Sequence, residues 1–121
     1  MKQKKLKAVG FGLWGETLAC QALRLKGYKI LRRNHKTPFG EIDIIAKRRQ
    51  TLCFIEVKSR AKHEDAMHAL SLHQQKRIIR AAKSFLSVNQ GYYMFDIRFD
   101  FIAISPLQWP KHIENAWLDD T

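Results

Sequence analysis

Two stretches decide how this chain folds: Gly40-Glu41-Ile42-Asp43-Ile44-Ile45-Ala46 and Leu52-Cys53-Phe54-Ile55-Glu56-Val57-Lys58. Each is a short run rich in β-branched and aromatic residues, the pattern of a strand that is buried on at least one face. Lys47-Arg48-Arg49-Gln50 joins them, a link short enough for a hairpin, so the two strands are expected to be antiparallel neighbours. Acidic residues inside such strands are out of place. A charge in an apolar strand is costly unless it is paired or holds a cation.

Side chains alternate along a strand, which puts Glu41 and Asp43 on one face and Ile42 and Ile44 on the other. Glu56 and Lys58 share a face with Phe54, opposite Ile55 and Val57. A hairpin closed at Arg48 and Arg49 brings Asp43 close to cross-strand register with Glu56. Two carboxylates ~5 Å apart at an effective dielectric of ~20 repel by roughly 3 kcal/mol. Either Lys58 or a divalent cation offsets that repulsion. Hard oxygen ligands suit Mg²⁺ or Mn²⁺, with the Val57 backbone carbonyl as a further donor. Such an ion stabilises charge on a phosphate, and a neighbouring lysine can orient or help deprotonate a water. The bland alternative is an ion pair on a sheet face.

The rest of the chain extends outward from this hairpin. Residues 1–8 carry Lys2, Lys4, Lys5 and Lys7 and read as a flexible basic arm, with a single domain over 9–121. Phe11, Trp14, Leu18, Ala22 and Leu25 recur at helical spacing, which places Trp14 in the core, and Gly27 follows as a C-cap. A strand begins at Tyr28 and fades into the basic run Arg32 to Lys36 before Pro38. Residues 61–70 read as a loop. Ser71 with Gln74 three positions later forms a capping box for a long helix whose apolar stripe is Ile78, Ile79, Ala82, Phe85 and Leu86. Asp96 to Ser105 reads as a further strand, with Arg98 able to pair with Asp96 or Asp100, and His112 to Leu118 as a short final helix. The order α-β-β-β-α-β-α predicts an α/β fold, a mixed sheet flanked by helices.

Composition narrows the class of function. The 121 residues hold 22 Lys and Arg against 11 Asp and Glu, a net charge of +11, which favours a polyanionic partner. Cys20 and Cys53 lack zinc-site spacing and a disulfide pattern, and Cys53 reads as a core residue. The weakly apolar stretch from Ala8 to Trp14 is too short for a membrane span, so the expected location is the cytoplasm. His63, His68 and His73 have a spacing that puts them on no common helix face and read as surface groups. Trp14, Trp109 and Trp117 have rings able to stack on bases. Arg33, Lys36, Arg48, Arg49 and Arg60 flank the acidic strands and are candidates for phosphate contacts without base specificity. A salt bridge to Arg48 or Arg49 is the expected role of Glu41.

Asp43 followed by Glu56-Val57-Lys58 resembles the PD-(D/E)XK nucleases, the superfamily of many restriction enzymes and archaeal Holliday-junction resolvases. More closely, the chain is similar to the bacterial YraN family within that superfamily. The similarity runs from Gly12 onward through Gly15-Glu16, Arg33-Asn34, Gly40-Glu41-Ile42-Asp43, Phe54 to Lys58 with Arg60, Arg98-Phe99-Asp100, and His112 to Ala116. It implies a restriction endonuclease-like core, metal ligands at Asp43 and Glu56, a catalytic Lys58, and Glu16 as an acidic helper from the first helix. It further implies a Mg²⁺- or Mn²⁺-dependent endonuclease acting on DNA, with branched or structured DNA as the expected substrate. The alternative is a non-catalytic nucleic-acid-binding module on the same fold. Resolvase-like relatives act as dimers, so a homodimer belongs to the expectation. Two positions depart from the family: His63-Glu64-Asp65 stands where Gly is usual, and Gln74 where the second helix usually has Lys, with Lys76 two residues on.

Overall fold

A computed structural model describes residues 2–119, with side chains from residue 14 onward. Its centre is the expected hairpin. Strand β2 (Gly40–Arg48) and strand β3 (Thr51–Ser59) pair antiparallel, with Ile44 opposite Ile55 and Arg48 opposite Thr51. Strand β1 (Lys29–Thr37) flanks β2 antiparallel, with a bulge between Ile30 and Arg32. Strand β4 (Asp96–Ile104) lies parallel to β3 along its whole length, and β5 (Lys111–Trp117) closes the far edge antiparallel to β4. The result is a five-stranded mixed sheet in the order β1-β2-β3-β4-β5.

Parallel pairing of β3 with β4 requires a crossover. It is supplied by a short helix α2 (His63–Met67), a long helix α3 (Leu72–Val88) and a 3₁₀ turn at Gln90–Tyr92. The Ser71 hydroxyl accepts from the Gln74 N–H while the Gln74 side chain accepts from the Ser71 N–H, so the predicted capping box forms. Helix α3 packs Ile78, Ile79, Ala82 and Phe85 against Ile45, Phe54, Phe99 and Trp117 on one face of the sheet. The other face carries Ile44, Cys53, Ile55 and Ile102, covered by Ala19, Cys20 and Leu23 of helix α1 (Lys2–Leu25). Both cysteines are buried and free, and burial pushes the Cys53 thiol up to about 12.

Several expectations are corrected. The segment 2–8, expected to be an arm, is the start of α1, which runs from Lys2 because Lys, Gln, Leu and Ala all favour helix. Residues 61–70 contain α2 rather than only a loop. The expected final helix over His112–Leu118 is strand β5 instead. Its alternation is broken at Asn115, which has φ 55 and sits where the β4–β5 register shifts, so the period of two is lost from the sequence pattern. Trp14 is not core. The inward face of α1 is the row Gly15, Ala19, Cys20 and Leu23, small except for Leu23, which leaves Trp14 and Leu25 exposed. Trp117 is buried in its place, stacked on Phe99. Phe11, from the same predicted stripe, lies outside the described side chains.

No described helix is long and apolar enough to cross a membrane.

Candidate functional site

The hairpin ladder ends at the acidic residues. Ile44 faces Ile55, and beyond that pair the Val57 N–H donates to Asp43 Oδ2 at 2.9 Å instead of to a β2 carbonyl. Strict alternation fails at this point. Ile42 packs into the α3-side core and Ile44 into the α1-side core, whereas the sequence pattern places both on one face. A residue's N–H and C=O leave the same edge of a strand, so the Val57 carbonyl is also directed toward the β2 side where the strands part.

Asp43 and Glu56 are in hydrogen-bond contact with each other, and Lys58 Nζ lies 3.3 Å from Glu56 Oε1. Burial, then the neighbouring Glu56 charge, raises the Asp43 carboxyl to about 7. Burial also raises Glu56, against the pull of Lys58. The two carboxyls titrate as a pair, and burial together with their mutual repulsion disfavours both being charged at once. One lysine does not neutralise the site.

Glu16 approaches from α1. Gly15 makes that approach feasible, since a Cβ on it would stand 2.2 Å from Ser59 Oγ. Burial and then Asp43 raise the Glu16 carboxyl, Asn34 hydrogen-bonds it, and its Oε2 is buried without a partner. From the other side, α3 contributes Gln74, Arg77 and Ile78 to a cavity of about 220 Å³ shared with Glu41, Asp43 and Glu56. Gln74 thus caps α3 and lines the cavity at once. Arg77 lies across Gly40, where a φ of +146 favours glycine and where a Cβ would push the arginine side chain aside. Arg77 was not among the sequence candidates. Its spacing from Gln74, one helical turn, is the signal that identifies it once Gln74 is placed at the site.

The remaining candidates separate. Arg33 stands beside Glu16 and donates to Thr17 Oγ1 at 3.2 Å, and Lys36 pairs across β1–β2 with Glu41. Arg60 follows the lysine strand, its N–H bonded to the Ile104 carbonyl. Arg48 and Arg49 do not join them. They occupy the hairpin tip, five residues along β2 from Asp43, on the order of 16 Å away. Arg48 stacks over Tyr28 at 4.5 Å and faces Glu114 at 3.8 Å, so the expected salt bridge from Glu41 does not form. Lys76 lies away from the acids with Ile79, Arg80 and Lys83. His73 contacts Arg77 at 3.2 Å, while His68 is exposed, and the three histidines form no cluster. Among the described residues no three acidic, histidine or cysteine side chains are grouped closely enough to hold an ion by themselves.

A second acidic centre lies two strands away. Asp100 is fully buried and accepts from Arg98 Nε and Nη2 at 2.8 Å each, from His112 Nε2 at 2.7 Å and from the Asn115 N–H at 3.0 Å. Arg98 also donates to the Tyr28 hydroxyl. Burial alone would raise Asp100, but these bonds outweigh it and hold the carboxyl below its usual range.

The model of Uncharacterised protein family UPF0102 matches residues 15–104. A UPF0102 protein of Rhodopseudomonas palustris (strain HaA2) is 44% identical over 113 residues, spanning 93% of this chain and 88% of that protein. One from Mesorhizobium japonicum is 47% identical over 111 residues, spanning 92% and 89%. A third, from Parvibaculum lavamentivorans, is 44% identical over 112 residues, spanning 93% and 84%.

Proposed function

The chain belongs to the UPF0102 family, and from the carboxylate pair it carries we propose that it is a metal-dependent endonuclease that hydrolyses phosphodiester bonds in DNA, with branched or structured DNA as substrate. The observation that carries this reading is the contact of Asp43 with Glu56, two desolvated carboxyls served by a single ammonium group. Glu16 adds a third carboxyl nearby with an unpartnered buried oxygen. This surplus of buried negative charge fits a divalent cation. Mg²⁺ commonly binds through one or two carboxylates and keeps several waters, so the absence of a three-acid cage does not conflict with it. Asp43, Glu56 and the Val57 carbonyl would hold the ion, and Mn²⁺ would serve equally. When bound it supplies a Lewis acid for the phosphate and lowers the pKa of a bound water.

The protein's own groups do the rest. The Val57 N–H fixes the Asp43 carboxyl beside Glu56 through a bond to Oδ2. Lys58 remains a proton donor and a fixed positive charge beside the site. Arg77 and Arg33 flank the acids from α3 and β1 and can hold phosphate oxygens on either side. The cations nearest the acids suit phosphates rather than base edges, which supports recognition by shape and backbone. The similarity of the Asp43 and Glu56-Val57-Lys58 pattern to the YraN branch of the PD-(D/E)XK nucleases supports the same conclusion.

The test is cleavage of four-way junction, flap and single-stranded DNA with Mg²⁺ or Mn²⁺. Glu56→Gln and Lys58→Ala are each expected to lower the rate by about 100-fold or more. No cleavage of any of these substrates, with no Mn²⁺ uptake by calorimetry, sinks the enzyme reading. The second reading, a non-catalytic nucleic-acid-binding module, draws on Lys58 already paired with Glu56 and on the raised pKa of Asp43. Its signature is salt-dependent DNA binding that Glu56→Gln leaves unchanged.

A further inference from the structure

Next to the acidic site lies a groove whose walls are the outward stripe of α1 and the turn between β4 and β5. It has a volume of about 410 Å³ and presents Trp14, Leu18 and Leu25 on one side and Leu107 and Trp109 on the other. Trp14 is 60% exposed and Trp109 68% exposed, although indoles are the side chains a fold most gains from burying. Neither ring stacks on another aromatic side chain among the described residues, in contrast to Trp117 on Phe99. The groove adjoins the site directly. Its floor residue Ile104 accepts from the Arg60 N–H, and the same Ile104 side chain packs under Gly15, the neighbour of Glu16.

Charge identifies what would fill it. Of the two segments that build the groove, Trp14 to Leu25 carries one acid, Glu16, which sits with Asp43 and Asn34 at the acidic site, and Ile104 to Pro110 carries none. The lining itself is uncharged, but Arg24 and Lys26 bracket Leu25 in the chain, Lys111 follows Pro110, and Arg60 is bonded through its N–H to the carbonyl of the lining residue Ile104. Exposed indoles framed by cations form the surface that binds unpaired nucleotides, where the bases stack on the rings and the cations follow the phosphates. Paired DNA cannot present base faces to such a groove without opening. We propose that the Trp14–Trp109 groove binds unpaired bases of a nucleic-acid strand, which makes the substrate of the adjacent site one with a single-stranded segment. The polynucleotide class rests on the nuclease reading, but binding does not require that the site cut.

The experiment is titration of the full chain, in EDTA so that no cleavage intervenes, with an oligothymidylate of about 12 nucleotides and with a duplex of equal length. Indole fluorescence is expected to fall with the single strand and to change little with the duplex, since Trp117 is buried and serves as the internal constant. Trp14→Ala and Trp109→Ala are each expected to weaken single-strand binding by about tenfold while leaving the salt dependence of binding unchanged. Trp14→Phe should retain most of the affinity. Because both rings are exposed, the variants should unfold at the wild-type denaturant midpoint, which is measured in parallel. Equal affinity of wild type and both variants for the single strand overturns the proposal. So does equal binding of single strand and duplex, or a concentration-dependent dimer that either substitution abolishes, which would assign the groove to a second copy. Single-strand binding lost in the tryptophan variants, without cleavage under Mg²⁺ or Mn²⁺, would uphold the groove and refute the enzyme.

Discussion

Asp43 and Asp100 are carboxylates in one sheet, two strands apart, and the protein treats their charges in opposite ways. Asp100 is surrounded by donors: a bidentate arginine, an imidazole and a backbone N–H. Asp43 has one backbone donor, a second carboxyl in contact, and a lysine bound to that second carboxyl rather than to itself. The Asp100 carboxyl is held below its usual pKa and the Asp43 carboxyl is pushed to about 7. A buried acid that is over-supplied with donors stabilises the fold. One that is under-supplied stores a cost that a ligand can relieve.

Breaking the satisfied side should produce the largest effect. Asp100→Asn removes the carboxylate that Arg98 and His112 share, leaving the part-buried guanidinium only Glu114 at 3.8 Å, and is expected to cost about 3 kcal/mol, read as a lower denaturant midpoint. In the wild type the contribution of Asp100 is present above the ordinary aspartate pKa and is lost only as pH falls through its lowered folded value. A loss smaller than that of an average surface substitution would remove Asp100 from its structural role.

The opposite sign is expected at Asp43. Its folded pKa is raised, so the native state retains a proton between the model value of 3.8 and about 7, and stability declines as pH rises through that interval. Asp43→Asn mimics the protonated form and keeps an acceptor for the Val57 N–H. It should therefore stabilise the protein by about 1–2 kcal/mol at pH 8, and the gain should vanish near pH 4. Mn²⁺ should raise the melting temperature of the wild type and leave this variant unmoved. A variant less stable than wild type at pH 8 would mean that the Asp43 charge is already compensated.

The smallest effect separates the two arginine groups. Arg48→Ala should cost about 0.5–1 kcal/mol through its lost stacking on Tyr28, and it should leave DNA affinity nearly intact. Arg33→Ala should do the reverse, weakening DNA binding at low salt with little change in stability. Equal losses of DNA affinity would restore the hairpin tip to the binding surface.

The acidic hairpin was legible because register and side-chain alternation are local, and a short link leaves little freedom in how Asp43 meets Glu56. The capping box at Ser71 and Gln74 was legible for the same reason. What was not legible depended on the third dimension. The parting of β2 and β3 at Asp43 sends Ile42 and Ile44 into different cores, and no two-residue period encodes that. Asn115 hides β5 by spending one residue in a left-handed conformation. The small inward row of α1 carries a weaker pattern than the exposed Trp14 stripe, so the apolar spacing pointed to the wrong face. Arg48 and Arg49 lie close to Asp43 in sequence yet a strand's length away in space.

The order in which the chain can assemble these two acidic centres follows from where their partners lie. The Val57-to-Asp43 bond spans 14 positions and closes with the hairpin alone, whereas Arg98 reaches back 70 positions to Tyr28 and His112 reaches back 86 to Lys26. Short loops close earlier than long ones. The paired carboxyls are therefore expected to meet while β4 and β5 are still unplaced, and the Asp100 cluster, which also draws on Tyr28, to form last. Its closure fastens a site that the hairpin has already drawn together.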